Sequence, residues 1–338
     1  MSTIGFWIKN ARSISLPQSA LPCLTAIILC IGQDGFIWWL AFPVFLGICA
    51  AHLGMNLADD YFDYKHDSRT RADINNQSIR ARMEKCHYLQ HATVSQLGWA
   101  IVGFLSFAAT MGAIAFITQW ISHGWQAAIG IIIYALLGLF VGINYSGKPL
   151  ELGYHGLGEL VIGLMFGPLN MLGVHAALTG QLFSCPMLCM SIAIGCMVTN
   201  IVYVHSVMEV NADAELGKMT FARLLKSKVA MITFIAIFAI IPFIILGLGI
   251  ALHWWSAWYL LTLATLPMSI FLIHSTRLFA YGLPRNDTPH WWMGPMGEWQ
   301  KYQQAGIDWF LYRWLLARNI CTFFCLILII THIVLKIC

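Results

Sequence analysis

Nine apolar stretches, each about as long as a bilayer is thick, recur along this 338-residue chain. Their approximate bounds are 16–33, 36–58, 94–119, 125–144, 156–179, 186–208, 229–252, 255–276 and 310–335. In lipid, an apolar run of roughly 20 residues can satisfy its own backbone hydrogen bonds only as a helix. The fold class expected is therefore an all-α polytopic membrane protein with about nine transmembrane helices. Composition agrees, because 59% of residues are hydrophobic and only 10% are charged. Soluble domains run closer to half apolar and a quarter charged.

The few charges orient the bundle. With nine crossings and the N-terminus inside, the inner segments are 1–15, 59–93, 145–155, 209–228 and 277–309, and they hold 16 of the 19 Lys and Arg. Arg313 and Arg318 lie at the inner start of the last helix, and only Lys336 falls outside. This is the positive-inside bias, so the net charge of +4 reflects topology and gives no reason to invoke nucleic acid. The first apolar segment is not read as a cleavable signal, since eight more spans follow it. The 10 cysteines show no CxxC pair and are read as small buried residues.

Against this background the stretch Asn56-Leu-Ala-Asp-Asp-Tyr-Phe-Asp-Tyr-Lys-His-Asp67 stands out, with four carboxylates in twelve residues. On a helix at about 100° per residue, Asn56, Asp60, Asp63 and Asp67 share one stripe about 60° wide. Crowded carboxylates repel unless a cation sits among them, and an all-oxygen donor set suits Mg²⁺. Asp59 sits about 60° from Asn56 on the same wheel and is expected to matter less. A second acidic face, His205, Glu209 and Asp213 at i, i+4 and i+8, ends the sixth span on the same membrane side. Ionisable clusters at membrane depth are functional until shown otherwise.

Basic residues surround these carboxylates. Arg12, at the approach to the first span, either snorkels or contacts an anionic substrate. The loop from Ser68 carries Arg69 and Arg71, which attract anionic headgroups or guide a diphosphate. Residues 144–159 hold four glycines in a tight re-entry, with Lys148 supplying a cation at that level. The following Phe166-Gly-Pro-Leu-Asn170 puts a Pro and an Asn inside an apolar span, which lipid tolerates where the break is buried or lines a cavity.

Three stretches together resemble the UbiA-type intramembrane prenyltransferases, and most closely their menaquinone-pathway dihydroxynaphthoate branch. Asn56-Leu-Ala-Asp-Asp60-Tyr-Phe-Asp63 is similar to that branch's N-L-A-N-D-Y-x-D pattern. Gly153-Tyr-His-Gly-Leu-Gly-Glu159 is similar to its G-Y-x-G-L-G-[ED] signature. Glu209, Asp213, Gly217, Lys218 and Thr220 resemble its D-x-x-x-D-x-x-x-G-K-x-T pattern. Arg12 through Pro22 resembles the family's approach to the first helix, and the likeness covers most of 5–275. Glu209 departs from the pattern's Asp, Met208 stands in place of the usual Arg, and His205-Ser206 stand in place of Asn-Asn.

The resemblance implies one membrane domain over residues 1–338, built around a lipid-open cavity with a cytoplasmic active-site mouth, and an atypical Trp- and Gly-rich inner loop at 283–309. It implies transfer of a polyprenyl group from an allylic diphosphate to an aromatic acceptor, 1,4-dihydroxy-2-naphthoate above others. In that setting Asp60, Asp63 and Asp213 are catalytic, and Asn56, Asp60, Asp63, Asp67, Glu209 and Asp213 hold Mg²⁺. Asn56, Lys148, Lys218, Arg69, Arg71 and Arg12 meet the diphosphate, while Tyr145 or Tyr203 steadies an allylic cation. The partners implied are the two substrates and the bilayer, and the location is a bacterial inner membrane with both acidic motifs toward the cytoplasm. Two alternatives stay open: another acceptor such as 4-hydroxybenzoate, or a cation-coupled transporter. Transporters place ion sites near the midplane and show internal repeats, whereas both acidic clusters here fall at inner helix ends.

Overall fold

The computed structural model describes residues 3–66, 87–215 and 219–337. Among them every regular element is helical. A short helix α1 (Thr3–Asn10) precedes α2 (Pro17–Leu29), α3 (Ala41–His66), α4 (Val94–His123) and α5 (Trp125–Ser146). Then come α6 (Gly158–Thr179), α7 (Cys185–Met208), the short α8 (Val210–Glu215) and α9 (Phe221–Leu225), and α10 (Lys228–Ala251). The chain ends with α11 (Ala257–Tyr281), the short α12 (Trp299–Gln304) and α13 (Asp308–Ile337).

Eight of these helices, α3 to α7, α10, α11 and α13, are long and apolar enough to cross a membrane. The first expected span is shorter. Pro17 opens α2, which has 13 residues. At about 1.5 Å per residue that is about 20 Å, less than the roughly 30 Å hydrocarbon core.

Local chemistry marks the helix ends. Thr93 and Gln96 exchange side-chain and backbone hydrogen bonds at the start of α4, at 2.9 and 3.2 Å. Only Gly124 separates α4 from α5, and its φ of 84° lies where side-chain-bearing residues are strained.

The centre of the bundle is α7, with 72% of its most apolar window buried against 6% for α4. The outward faces of α4 and α5 expose Trp99, Ile117, Ile121, Leu136 and Phe140, the pattern of helices that face lipid. Close approach of α6 and α7 depends on glycine. A Cβ on Gly167 would lie 2.4 Å from the Ser191 carbonyl oxygen, and one on Gly195 would lie 2.7 Å from that of Gly163. Small residues of this kind let membrane helices pack by backbone contact, where no hydrophobic effect drives them together. A separate small core of Trp7, Ala11, Leu53, Leu57, Tyr88 and Leu97 ties α1 to α3 and α4.

The loop at 283–309 is fastened to the last helix. The buried Arg313 forks onto Asp287 at 2.6 and 3.1 Å and donates to the Ser275 carbonyl at 3.1 Å. Asn319 donates to the carbonyls of Met293 and Pro295, at 2.8 and 3.0 Å.

Candidate active site

One large cavity, about 2070 Å³, is walled by α2 to α7 and the start of α13. Much of its wall is apolar, with Val44, Ile48, Leu105, Phe116, Ile131 and Leu139. The remainder carries polar and charged groups: Asn56 with Arg12, Asp59, Asp63, Lys148, Glu159, Glu209 and Asp213. The two acidic motifs therefore face one space, as do Tyr145 and the re-entry segment.

The structure turns α3 differently from the expected stripe. Asn56, Asp59 and Asp63 line the cavity. Asp60 does not; it is 1% exposed and points behind the helix, accepting from the Tyr88 hydroxyl at 3.1 Å. Arg12 lies between the two neighbours, 2.9 Å from Asp59 and 3.5 Å from Asp60, and also donates to the Asn56 carbonyl at 3.1 Å. The residue that the structure presents to the cavity between Asn56 and Asp63 is thus Asp59, where the expected stripe had Asp60. The rotation is set by the small core, which packs Leu53 and Leu57 of α3 against Trp7, Leu97 and Tyr88.

Arg12 has left-handed backbone angles, φ 55° and ψ 46°. Such geometry is uncommon for a residue with a side chain and persists where its surroundings hold it. Burial works against its charge, but Asp60 and then Asp59 outweigh burial and raise the guanidinium above its ordinary pKa. It therefore stays protonated at any working pH.

Further contacts fix the carboxylates. Ser146 donates to Asp59, and the Tyr154 hydroxyl donates to Asp63. Asn56 donates its amide nitrogen to the Ala11 carbonyl at 3.0 Å and to Ser15 Oγ at 3.2 Å, which leaves its amide oxygen as the atom to offer a ligand. Across the cavity His205 Nε2 meets Glu209 Oε2 at 2.6 Å, and Asp213 is 4% exposed. Glu159 accepts the Phe221 backbone N–H on both oxygens at 3.2 Å, which anchors the start of α9 after the second acidic motif.

Tyr203 is not a cavity residue. It is fully buried, donates to the Met231 carbonyl at 3.2 Å and packs against Phe221 and Phe238. Val202, His205, Ser206 and Glu209 form the cavity face of this helix end, and Tyr203 is about 100° round from Val202. Asp67, Arg69, Arg71 and Lys218 lie outside the described residues. Sequence reading missed Tyr88, Ser146 and Tyr154 as carboxylate partners, and Trp309, Phe310 and Trp314 as cavity wall. Tyr154 had a local signal, lying inside the Gly153–Glu159 signature; the aromatic residues of α13 had none.

Residues 19–289 match the family model of the UbiA prenyltransferase family. The chain belongs to the UbiA prenyltransferase family. It is accordingly a prenyltransferase and an integral multi-pass membrane protein, as the three motifs implied. A curated relative, the 2-carboxy-1,4-naphthoquinone phytyltransferase of Synechocystis sp., is 26% identical over 280 residues, 80% of this chain and 82% of its own length. The 1,4-dihydroxy-2-naphthoate octaprenyltransferase of Mycobacterium tuberculosis is 25% identical over 224 residues, 66% of this chain and 70% of its own. Among solved structures, one concerning digeranylgeranylglyceryl phosphate synthase in membranes superposes with a TM-score of 0.61 at 15% identity, covering 98% of this chain and 99% of that one. A UbiA homolog from Archaeoglobus fulgidus, bound to GPP and Mg²⁺, gives 0.50 at 13% identity over 93% of this chain and 99% of its own.

The donor set fits a hard cation. The acidic end of the cavity offers carboxylates and the amide oxygen of Asn56, with neither thiolate nor clustered imidazole among the described lining residues. Among the described residues no three Asp, Glu, His or Cys side chains form a ready-made cage.

Proposed function

We propose that this prenyltransferase joins a polyprenyl chain, taken from an allylic diphosphate, to 1,4-dihydroxy-2-naphthoate with the help of magnesium. The observation that carries the reading is a single cavity with an acidic, cation-flanked end and a long apolar wall. A diphosphate with a lipid tail has that same polarity. The names of the Synechocystis and M. tuberculosis relatives support a naphthoate acceptor, and the GPP- and Mg²⁺-bound A. fulgidus structure supports the donor and metal.

Asn56, Asp59 and Asp63 on α3, with Glu209 and Asp213 opposite, would hold the magnesium; Asp67 completes the first motif. Bound there, magnesium supplies Lewis-acid stabilisation of charge on the departing diphosphate. Arg12 balances the α3 carboxylates, and Lys148, exposed at the mouth, offers its ammonium to the diphosphate, as would Arg69 and Arg71, which follow the first acidic motif in sequence, and Lys218, which follows the second. The apolar wall orders the prenyl tail and keeps water from the reacting carbon. Tyr145 presents an aromatic face to positive charge developing on that carbon. The ring carbon bearing the carboxylate forms the new bond to the allylic carbon as its C–O bond breaks. The carboxylate then leaves as carbon dioxide, returning its bonding electron pair to the ring.

We further place both acidic motifs on the cytoplasmic side of a bacterial inner membrane, where the basic segments lie. The test is purified protein with labelled polyprenyl diphosphates and a panel of acceptors. Product from dihydroxynaphthoate with released carbon dioxide is expected, lost with EDTA and regained with Mg²⁺. Prenylation of hydroxybenzoate with dihydroxynaphthoate ignored would overturn the acceptor, and full activity in EDTA would overturn the metal.

A further inference from the structure

The segment between α11 and α13 does not take a direct path from one helix to the next. It folds back along both of them toward the bilayer. Trp292 packs edge-on against Phe271 of α11, with ring centroids 5.1 Å apart, and a Cβ on Gly294 would lie 2.6 Å from the Phe323 ring of α13. Asn319 of α13 holds the carbonyls of Met293 and Pro295, and Arg318 donates to the second of these at 3.2 Å. Met293 and Met296 turn inward and are buried, whereas Trp291 projects outward and is 93% exposed.

Two lengths place this tip relative to the membrane. On α13 no Asp, Glu, Lys or Arg stands between Arg318 and Lys336. At about 1.5 Å per residue that uncharged run is about 27 Å long, close to the roughly 30 Å of a hydrocarbon core. Arg318, which touches the tip, therefore marks the inner hydrocarbon boundary. On α11 the 3₁₀ turns Ala257–Thr265 come first, and the α-helix from Leu266 then leads to Phe271. At about 2.0 and 1.5 Å per residue, Phe271 lies about 25 Å from the outer end, at the same boundary. Ile270 of α11 and Leu326 of α13 are exposed, so the lipid-facing surface of both helices continues up to the tip.

We infer that the tip, Trp291 to Met296, is a membrane anchor whose Trp291 inserts at the headgroup–acyl boundary of the leaflet that both acidic motifs share. A single exposed apolar residue is ordinary on a protein surface, and depth is what distinguishes this one. An indole at that boundary sets its ring among acyl chains and its N–H among headgroup oxygens. Arg318 beside it brings positive charge to the level of the lipid phosphates. The tip lies beyond residue 289, where the family match ends, and none of its residues lines the cavity. Its fastenings are on α13, whose first turns wall that cavity, so one helix carries both the anchor and part of the wall.

The experiment compares two spin-labelled variants in nanodiscs of phosphatidylethanolamine and phosphatidylglycerol. Trp291→Cys and Gln303→Cys are each made in a protein whose 10 native cysteines have been replaced. Gln303, exposed on α12, is the aqueous reference: α12 packs through Trp299 against Tyr312, about 9 Å below Arg318 along α13. The label at 291 should be relaxed by oxygen, which concentrates in lipid, and should lose most of its response to a water-soluble nickel chelate. The label at 303 should show the reverse. A label at 291 as open to nickel as that at 303 would overturn the anchor. Shielding from both reagents would overturn it too, by showing that protein covers Trp291. Should the cysteine variants fail to fold, the native chain serves in brominated lipid. There the fluorescence difference between wild type and Trp291→Phe should vanish, and an undiminished difference would refute the inference.

Discussion

Removing Arg12 tests whether the charges behind α3 hold the site together. Arg12→Met keeps much of the aliphatic stem but deletes the guanidinium, leaving Asp59 and the 1%-exposed Asp60 without their shared cation. That cation sits 2.9 Å from Asp59 and 3.5 Å from Asp60. At an effective dielectric of about 20, a unit pair about 3.5 Å apart attracts by about 5 kcal/mol before desolvation is charged against it. Breaking a buried pair by removing one partner typically costs about 3–5 kcal/mol, so we expect a loss of about 3 kcal/mol for this partly exposed arginine. Asp60→Asn alone should cost about 1 kcal/mol, because the amide oxygen still accepts from Tyr88 and Arg12 retains Asp59. The double variant should then fall short of the sum by about 1–2 kcal/mol, since the stranded carboxylate is gone. Equilibrium SDS titration in mixed micelles, followed by circular dichroism, measures all three. Losses that simply add, or an Arg12→Met protein as stable as wild type, would refute the reasoning.

Three other outcomes are expected. Asp59→Asn and Asp63→Asn should each lower turnover by about a hundredfold at saturating Mg²⁺, with folding intact; equal turnover in Asp59→Asn and wild type would contradict the rotation of α3. Gly167→Ala should destabilise by at least about 1–3 kcal/mol in the same SDS titration, because its methyl group has the Ser191 carbonyl in its way. In a variant retaining Cys86 alone, a membrane-impermeant thiol reagent should label opened but not intact cells; labelling of intact cells would reverse the proposed orientation.

The spans were legible because lipid leaves an apolar stretch of their length no other fold, and α4 to α7 begin and end close to the expected bounds, while α3 runs eight residues beyond its expected end, through the acidic motif. The short first helix was legible in part: its start, expected at 16, falls at Pro17, but apolar residues beyond Leu29 continue as turns rather than helix. Within the site, both acidic motifs were legible as motifs. The choice between Asp59 and Asp60 was not. A helical wheel gives angles between residues of one helix, whereas the face that meets the cavity depends on how the whole helix is rotated. That rotation is fixed by Trp7, Tyr88 and Leu97, which are distant in sequence from Asp59. Tyr203 failed for the same reason, on the α7 face that turns toward α10. Trp309, Phe310 and Trp314 reach the cavity only because the chain returns after more than half its length.

Two adjacent carboxylates in this arrangement have different surroundings, and that difference explains why a chain so poor in charge keeps both. Asp59 faces the cavity, where a cation can reach it, while Asp60 faces Arg12 and Tyr88. Arg12 follows α1, and Tyr88 packs edge-on against Phe6 and Trp7 of that helix. Asp60 therefore connects the cavity wall to α1, which precedes every span. A like charge beside Asp59 would by itself repel it, and Arg12, placed between the two, offsets that repulsion. Shifting α1 would move Arg12 and change the charge balance at Asp59 without touching any residue of the first acidic motif. The charge that Arg12 brings to Asp59 thus depends on its position rather than on titration, because the guanidinium remains protonated at any working pH.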